Sequence, residues 1–315
     1  MQYLVTGAAG FLGRHLVARL LHDGHRVVGH DRAPVPLPES DWMPGFWRAV
    51  HGDLCDRASL VGAMQGVDGV FHLAGKADVQ HSLTEASAHI EANVVGTLAV
   101  LLAMQECRVS RIALASTAAV YGEPTVVPTP EDAPFPIQTS VYGASKLAAE
   151  GLIQAYCAAH GWQAYIYRFA PMLGEYYHHG HVIDFVRQLR AHPDFLDVRG
   201  NGLQRKSYLY AGDAVDGMLT AWDLETHGVG IFNVGRRDAC TVRQSVHWIC
   251  EALGLLPTIR YGTEAQGWVG DNPNLGLDCT RLEALGWQPR TGLRESVQRT
   301  VRWLEASPWT LPSSA

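Results

Sequence analysis

Apolar residues in this chain fall into short β-branched runs, separated by longer stretches where they recur every three or four positions. The runs Gln2 to Thr6, Arg26 to Asp31, Phe46 to Val50, Gly69 to Leu73, Arg111 to Ala115 and Ala164 to Phe169 predict strands. Residues 11–23, 57–65, 83–106 and 141–160 predict helices between them. The clearest helical pattern is 83–106, where Ser82 and Glu85 make a capping-box pair and Ala86, Ile90, Val94, Leu98 and Leu102 recur at every fourth position. Such strand–helix alternation predicts an α/β fold with a doubly wound parallel sheet. Pro34, Pro36, Pro38 and Pro44 mark 33–46 as a loop.

After Phe169 the alternation becomes irregular, and Gly and Pro are frequent over 171–206. Later pieces are a strand near Tyr208 to Tyr210, a helix near 213–225, a strand at Ile231 to Val234, and helices near 241–253 and 292–305. The expected division is a first domain over 1–170 that carries the strand–helix alternation, with segments returning to it near 207–235. Residues 171–206 and 236–315 would form a smaller C-terminal substrate-binding lobe.

Composition narrows the partners. The 315 residues are 47% hydrophobic and 18% charged, with net charge -6 and no basic stripe. Phosphate backbones require clustered Lys and Arg, so no nucleic-acid partner is expected. No apolar run approaches the ~20 residues of a membrane span, and Tyr3-Leu4-Val5 follows the start without a charged leader. No membrane partner is expected, and the reading is cytoplasmic. Six cysteines without a CxxC pair read as reduced thiols. His178-His179-Gly180-His181 has no Cys or acidic residue at ligand spacing, so it reads as a loop lining the cleft and no metal is expected.

Candidate chemistry begins at Gly7, Gly10 and Gly13, which follow the first strand and open the first helix. A phosphate can approach backbone N–H groups there because no Cβ intervenes, and the helix start is electropositive. The spacing is GxxGxxG rather than GxGxxG. Asp31 closes the second strand, where a carboxylate accepts from both ribose hydroxyls and repels a 2′-phosphate. That favours NAD over NADP, with Arg32 beside it as a softening influence. Asp53 and Leu54, in the Gly52-Asp53-Leu54 turn, are placed to meet the adenine; Asp53 alternatively caps the helix after it. Tyr142 and Lys146 stand four apart on a helix and share a face. A phenol titrates near pH ~10, so its anion needs about 4 kcal/mol of help to act as a base at neutral pH. A nearby ammonium supplies part of that. Thr117, ending the fifth strand, offers a hydroxyl to the substrate oxygen.

TGAAGFLG, HLAG at His72 to Gly75, STAAVYG at Ser116 to Gly122 and YGASK at Tyr142 to Lys146 together resemble the extended short-chain dehydrogenase/reductase family. Within it the likeness is to NAD-dependent nucleotide-sugar epimerases of the UDP-galactose 4-epimerase type, and it reaches Leu285 to Pro289. The resemblance implies a Rossmann-type domain, NAD as cofactor and a nucleotide-sugar substrate. It also implies a homodimer formed by helices 83–106 and 141–160 in a four-helix bundle. It assigns catalysis to Thr117, Tyr142 and Lys146. It extends the cofactor surface to Phe11, Leu12, Leu73, Ala74, Gly75, Asn93 and Phe169, besides Tyr142 and Lys146, of which Lys146 also holds the nicotinamide ribose. It assigns the substrate to Lys76, Pro171, Arg205, Lys206, Tyr208, Trp268 and Asp271, besides Thr117 and Tyr142. Three positions depart from the epimerase pattern: Pro171 replaces an Asn, Lys206 an Arg, and Trp268 a second Arg. Leu275 stands where such enzymes gate the sugar's 2-position. Sugar 4,6-dehydratases carry Asp-Glu after the catalytic Thr; here Ala118 and Ala119 cannot do acid–base work. The resemblance therefore favours epimerisation through a 4-keto sugar, with a dehydratase or 4-keto reductase as the alternative. A non-catalytic dinucleotide sensor is a third reading, and the Tyr–Lys pair speaks against it.

Overall fold

The computed structural model describes residues 1–35, 45–134, 137–224, 228–264 and 274–307. The first half contains β1 (Gln2–Thr6), α1 (Phe11–His22), β2 (Arg26–Asp31), β3 (Trp47–His51), α2 (Arg57–Met64), β4 (Gly69–His72), α3 (Ala86–Ile90), α4 (Gly96–Cys107), β5 (Arg111–Thr117), α5 (Val141–His160) and β6 (Gln163–Phe169). Then follow β7 (Met172–Leu173), α6 (His181–Ala191), β8 (Phe195–Val198), β9 (Arg205–Lys206), β10 (Leu209–Tyr210), α7 (Ala211–Leu224) and β11 (Val229–Val234). The chain ends with β12 (Cys240–Thr241), α8 (Val242–Leu253), β13 (Thr258–Tyr261), β14 (Asn274–Leu275), α9 (Thr280–Glu283) and α10 (Leu293–Ala306).

Seven strands form one parallel sheet in the order β11-β6-β5-β4-β1-β2-β3. The chain reverses its direction of sheet growth between β1 and β4. The crevice at the carboxyl ends of those strands is where open α/β sheets bind ligands. Thr6 and His72 are the paired last residues of β1 and β4. Their side chains join at 2.8 Å, and the other His72 nitrogen meets the Thr97 hydroxyl at 3.0 Å. Complete burial pushes His72 down to about 3, so a neutral imidazole locks the switch point to α4.

The segment at 83–106 differs from its sequence pattern. The helix begins at Ala86, and the capping box does not form: the Ser82 hydroxyl donates to the Val79 carbonyl, while Glu85 pairs with Lys76. A π turn over Glu91–Val95 adds one residue to the spiral between α3 and α4. The fourfold repeat falls on the outer side, with Ile90 and Leu102 exposed, whereas His89, Asn93, Val100, Leu101 and Met104 are buried. A helix of mostly apolar composition has two apolar faces, so periodicity alone does not choose the inner one. Ala86–Cys107 is also long and apolar enough, by length and composition, to cross a membrane, a test that a buried core helix passes equally. Its inner face packs against α2 and α5.

The smaller lobe has its own core of Leu173, Val182, Val186, Leu196, Val246, Ile249, Val297 and Val301, drawn from β7, α6, β8, α8 and α10. One stretch assigned to it returns to the main sheet. Leu277 and Cys279 pack with Ala118 and Tyr121, and Leu282 and Trp287 join the α1–α7 core. The Trp287 indole donates to the Asp213 carbonyl at 3.0 Å, which fixes that return. Of the 33–46 loop, residues 36–44 lie outside the described residues.

Candidate active site

The glycine loop shows why small residues stand there. Gly7 has φ +71°, and a Cβ on it would sit 2.7 Å from the Ala74 nitrogen. A Cβ on Gly13 would lie 2.0 Å from the Gly7 oxygen. Gly10 is exposed and precedes α1 with no side chain capping the helix, so the first N–H groups of α1 face the crevice. Leu12 is buried in the core and Phe11 packs edge-on against Tyr177 and His15, so these two contribute backbone and packing.

Asp31, at the end of β2, accepts from Ala9 N at 3.0 Å and Ala33 N at 2.9 Å. Its carboxylate is thereby anchored at the rim of the glycine loop and retains lone pairs for a diol. Asp53 accepts from Cys55 N at 2.8 Å, while Asp56 caps α2 through Ser59 N, so the cap alternative for Asp53 is not realised. The Arg32 guanidinium is exposed, 3.8 Å from Asp53. Leu54 packs against Gly96 at the start of α4. An uncapped helix start, a cradle that Cβ atoms would fill, and a fixed carboxylate on the neighbouring strand together fit a dinucleotide without a 2′-phosphate.

Across the switch point, Leu73 N donates to Thr6 O at 3.2 Å and Ala74 N to the Thr6 hydroxyl at 3.3 Å. These bonds direct Gly75 towards α5. A Cβ on Gly75 would meet Asn93 Oδ1 at 2.6 Å and Lys146 Nζ at 3.0 Å. Asn93 is buried in the π turn and clamps the Lys76 peptide, accepting from its N–H at 2.8 Å and donating to its carbonyl at 3.0 Å. It also donates to Ser145 Oγ at 2.9 Å, and Ser145 donates to the Tyr142 carbonyl at 2.8 Å. Asn93, expected on the cofactor surface, therefore holds the loop and the catalytic helix together.

Ser140 caps α5 by accepting from Gly143 N at 3.0 Å. Gly143 lets this first turn approach the short 3-10 turn Ala118–Tyr121, since a Cβ there would be 2.5 Å from the Ala119 oxygen. That approach brings the Thr117 hydroxyl near enough to the Tyr142 phenol to act on it. Burial pushes the Tyr142 phenol up, and the Thr117 hydroxyl pulls it down. Burial lowers Lys146 to about 8, opposed by the charge of Glu150. The pair is therefore dry, and a positive charge added beside it favours the phenolate.

Glu150, Ser116 and Arg168 were not among the residues read as functional. Arg168 binds Glu150 through two contacts, Nη2 to Oε2 at 2.7 Å and Nε to Oε1 at 3.1 Å, and both residues are fully buried. Removing one partner of such a pair costs about 3–5 kcal/mol. The sequence signals were Glu150 one turn beyond Lys146 and a lone Arg within the apolar β6.

The substrate-side residues scatter more. Pro171 is exposed, and its carbonyl accepts from Leu209 N at 2.9 Å. Phe169 is buried in the sheet core. Arg205 and Lys206 alternate on β9 and so point to opposite faces. Arg205 is exposed and reaches the Ala239 carbonyl, whereas Lys206 acts on His181. His181 stacks on Tyr208 at 4.7 Å, bonds Ser245 Oγ at 2.8 Å, and is pushed down to about 3 by burial and then by Lys206. Lys76 pairs with Glu85 at 2.5 Å at the rim. His178 and His179 are exposed on the preceding loop, and among the described residues no His, Cys, Asp and Glu group could hold a metal. Trp268 and Asp271 lie outside the described residues, as does the side chain of Leu275.

A doubly wound sheet with an uncapped glycine-rich turn, a half-buried Thr117 and the buried Tyr142 and Lys146 defines a dinucleotide-dependent redox site. The pattern of the NAD dependent epimerase/dehydratase family matches residues 3–235, and the chain belongs to that family. The dTDP-D-glucose 4,6-dehydratase of Mus musculus is 28% identical, over 95% of this chain and 87% of that protein. The UDP-glucose 4-epimerase of Corynebacterium glutamicum is 32% identical, over 95% of this chain and 94% of that protein. A structure solved in complex with UDP-glucose and NAD superposes with TM-score 0.86 at 31% identity, covering 98% of this chain and 100% of the other.

Proposed function

We propose that this protein is an NAD-dependent 4-epimerase of a nucleotide-diphosphate sugar, with a UDP-sugar as the favoured substrate. The observation that carries the reading is the Thr117–Tyr142–Lys146 set beside a turn, Ala118 and Ala119, that contains no acid. NAD, when bound, supplies a reversible acceptor for hydride from the sugar carbon. Tyr142 takes the proton of the sugar hydroxyl on its phenolate oxygen and later returns it. Thr117 orients that oxygen, and Lys146 stabilises its charge. The buried setting excludes water from the exchange. Elimination of water would need a further acid–base pair, which Ala118 and Ala119 do not provide. On the substrate side, Lys206 faces the lobe beside the stacked His181–Tyr208 pair and supplies the positive charge for a diphosphate.

The likeness to a 4,6-dehydratase keeps dehydration as the second reading. Incubating the protein with UDP-, dTDP-, GDP- and ADP-hexoses and following the sugar by NMR separates the two. Inversion at one carbon with no loss of water is expected. A 6-deoxy-4-keto product, or stoichiometric consumption of NADH, would overturn the epimerase reading.

We further propose a homodimer in the cytoplasm. Leu83, Ile90, Val95 and Leu102 expose apolar surface along one side of α3 and α4. A contiguous strip of this kind on a soluble protein marks an interaction surface, and pairing it with its own copy is the self-complementary solution. Light scattering is expected to give twice the 34.4 kDa chain mass. Ile90→Asp/Leu102→Asp is expected to give monomer; a monomeric wild type would refute the assembly.

A further inference from the structure

Beneath Lys146 lies a buried carboxylate that proton transfer at Tyr142 does not itself use. Glu150 follows Lys146 by one turn of α5, so the two side chains share a face. Three elements fix its position. Arg168 on β6 grips both oxygens at 2.7 and 3.1 Å, and Ser116 on β5 donates to Oε1 at 2.5 Å. Arg168 is itself held, donating through Nη1 to the Tyr121 hydroxyl at 2.8 Å and the Glu131 carbonyl at 2.9 Å. A buried ion pair is often no more stable than apolar side chains of equal volume, so stability alone is a weak reason for this one.

The surroundings of Lys146 give a better reason. Its Nζ lies against Gly75, beside Asn93, in a fully buried position. The titratable groups acting on it are His72 from β4, which is neutral, and Glu150 from α5; Tyr142 stands one turn before it on the same helix. Glu150 is the anion among them.

We propose that Glu150, clamped by Arg168 and Ser116, is a positioning residue of the redox site that keeps Lys146 in its ammonium form beside Tyr142. The clamp holds the carboxylate in one position between α5 and the strands β5 and β6. The proposal rests on the charge role given to Lys146 above. The sign of the effect is defined. Burial lowers Lys146 to about 8, and Glu150 opposes that shift. Without the Glu150 charge the amine titrates lower still, and more of it is neutral at neutral pH. A neutral amine no longer favours the Tyr142 phenolate, so the phenol titrates higher. The pH–rate bell therefore narrows from both sides.

The composition makes a direct test possible. The chain has three lysines, Lys76, Lys146 and Lys206. Protein labelled with 13C at lysine Cε gives three signals, and Lys146→Met identifies one of them. In Glu150→Gln the Lys146 midpoint is expected about one pH unit lower, a ~10-fold change in the ammonium-to-amine ratio. Glu150→Met/Arg168→Met removes both charges while keeping volume, and guards against loss of the fold when Arg168 is left alone; it should move the midpoint the same way. Glu150→Asp, which keeps the charge, should restore most of the wild-type value. In turnover, kcat is expected to show the narrowed profile with KM little changed. A folded Glu150→Gln or double variant whose Lys146 midpoint equals the wild type would overturn the proposal. The titration needs no turnover, so its failure leaves the epimerase reading standing, and a failed sugar screen leaves the titration standing.

Discussion

Tyr142→Phe is expected to lower kcat by ~10²–10⁴-fold, the range for loss of a general acid–base group. The substitution removes one oxygen and keeps the ring. The ring is buried and meets His89 edge-on at 5.9 Å, so packing is retained. The interaction lost is at most that of the phenol with the nearby Thr117 hydroxyl. A single neutral hydrogen bond contributes about 0.5–1.5 kcal/mol to stability, so the thermal midpoint should shift only slightly. NAD affinity is expected to stay within a few-fold of wild type, because the glycine loop and Asp31 are remote from the hydroxyl. The measurement is single-turnover inversion of the sugar carbon together with a cofactor titration. A folded, cofactor-binding variant with turnover within ~10-fold of wild type would remove Tyr142 from the chemistry.

The second large effect is expected at the glycine loop. A Cβ on Gly13 would sit 2.0 Å from the Gly7 oxygen, a backbone atom that cannot swing aside. Gly13→Ala must push α1 away from the turn that precedes it. Overpacking of this kind costs about 1–3 kcal/mol of stability. The larger consequence falls on the cofactor, because displacing the helix start misaligns its free N–H groups. NAD affinity is expected to fall by at least ~10-fold, the equivalent of one or two misplaced charge-assisted hydrogen bonds. Gly62 provides the control. It is exposed within α2, with nothing near its would-be Cβ. Gly62→Ala is expected to stabilise by ~0.5–1 kcal/mol with unchanged NAD binding. Isothermal titration and thermal unfolding of both variants test the pair. Equal cofactor affinity in Gly13→Ala and wild type would contradict the cradle.

The likeness to both an epimerase and a dehydratase shows where the fold stops being informative. Both activities need the dinucleotide crevice and a Tyr–Lys pair, so neither feature separates them. The separation rests on the turn after Thr117. There Ala118 is buried and Ala119 approaches Gly143, so the turn itself carries no acid. On the same grounds the reading of Lys206 depends on β9. Two adjacent cations in sequence point to opposite faces of a strand, so only one of them serves the lobe.

Much of this protein was legible in the linear sequence because the relevant signals are local. Strand alternation, the GxxGxxG turn and the four-residue spacing of Tyr142 and Lys146 depend on the 2.0 and 3.6 periods of the backbone. Those spacings hold wherever the segment ends up, so β1, β2, α5 and the glycine loop lie where their patterns place them. Only the tertiary structure decided the rest. It chose the inner face of α3 and α4, because an apolar helix satisfies burial on either side until a neighbour covers one. It brought Glu150 to Arg168 and Ser116, because pairing across β5 and β6 follows strand order and register, which no local spacing encodes. It returned Leu277 to Trp287 to the main sheet through Asp213, a contact between segments 74 residues apart.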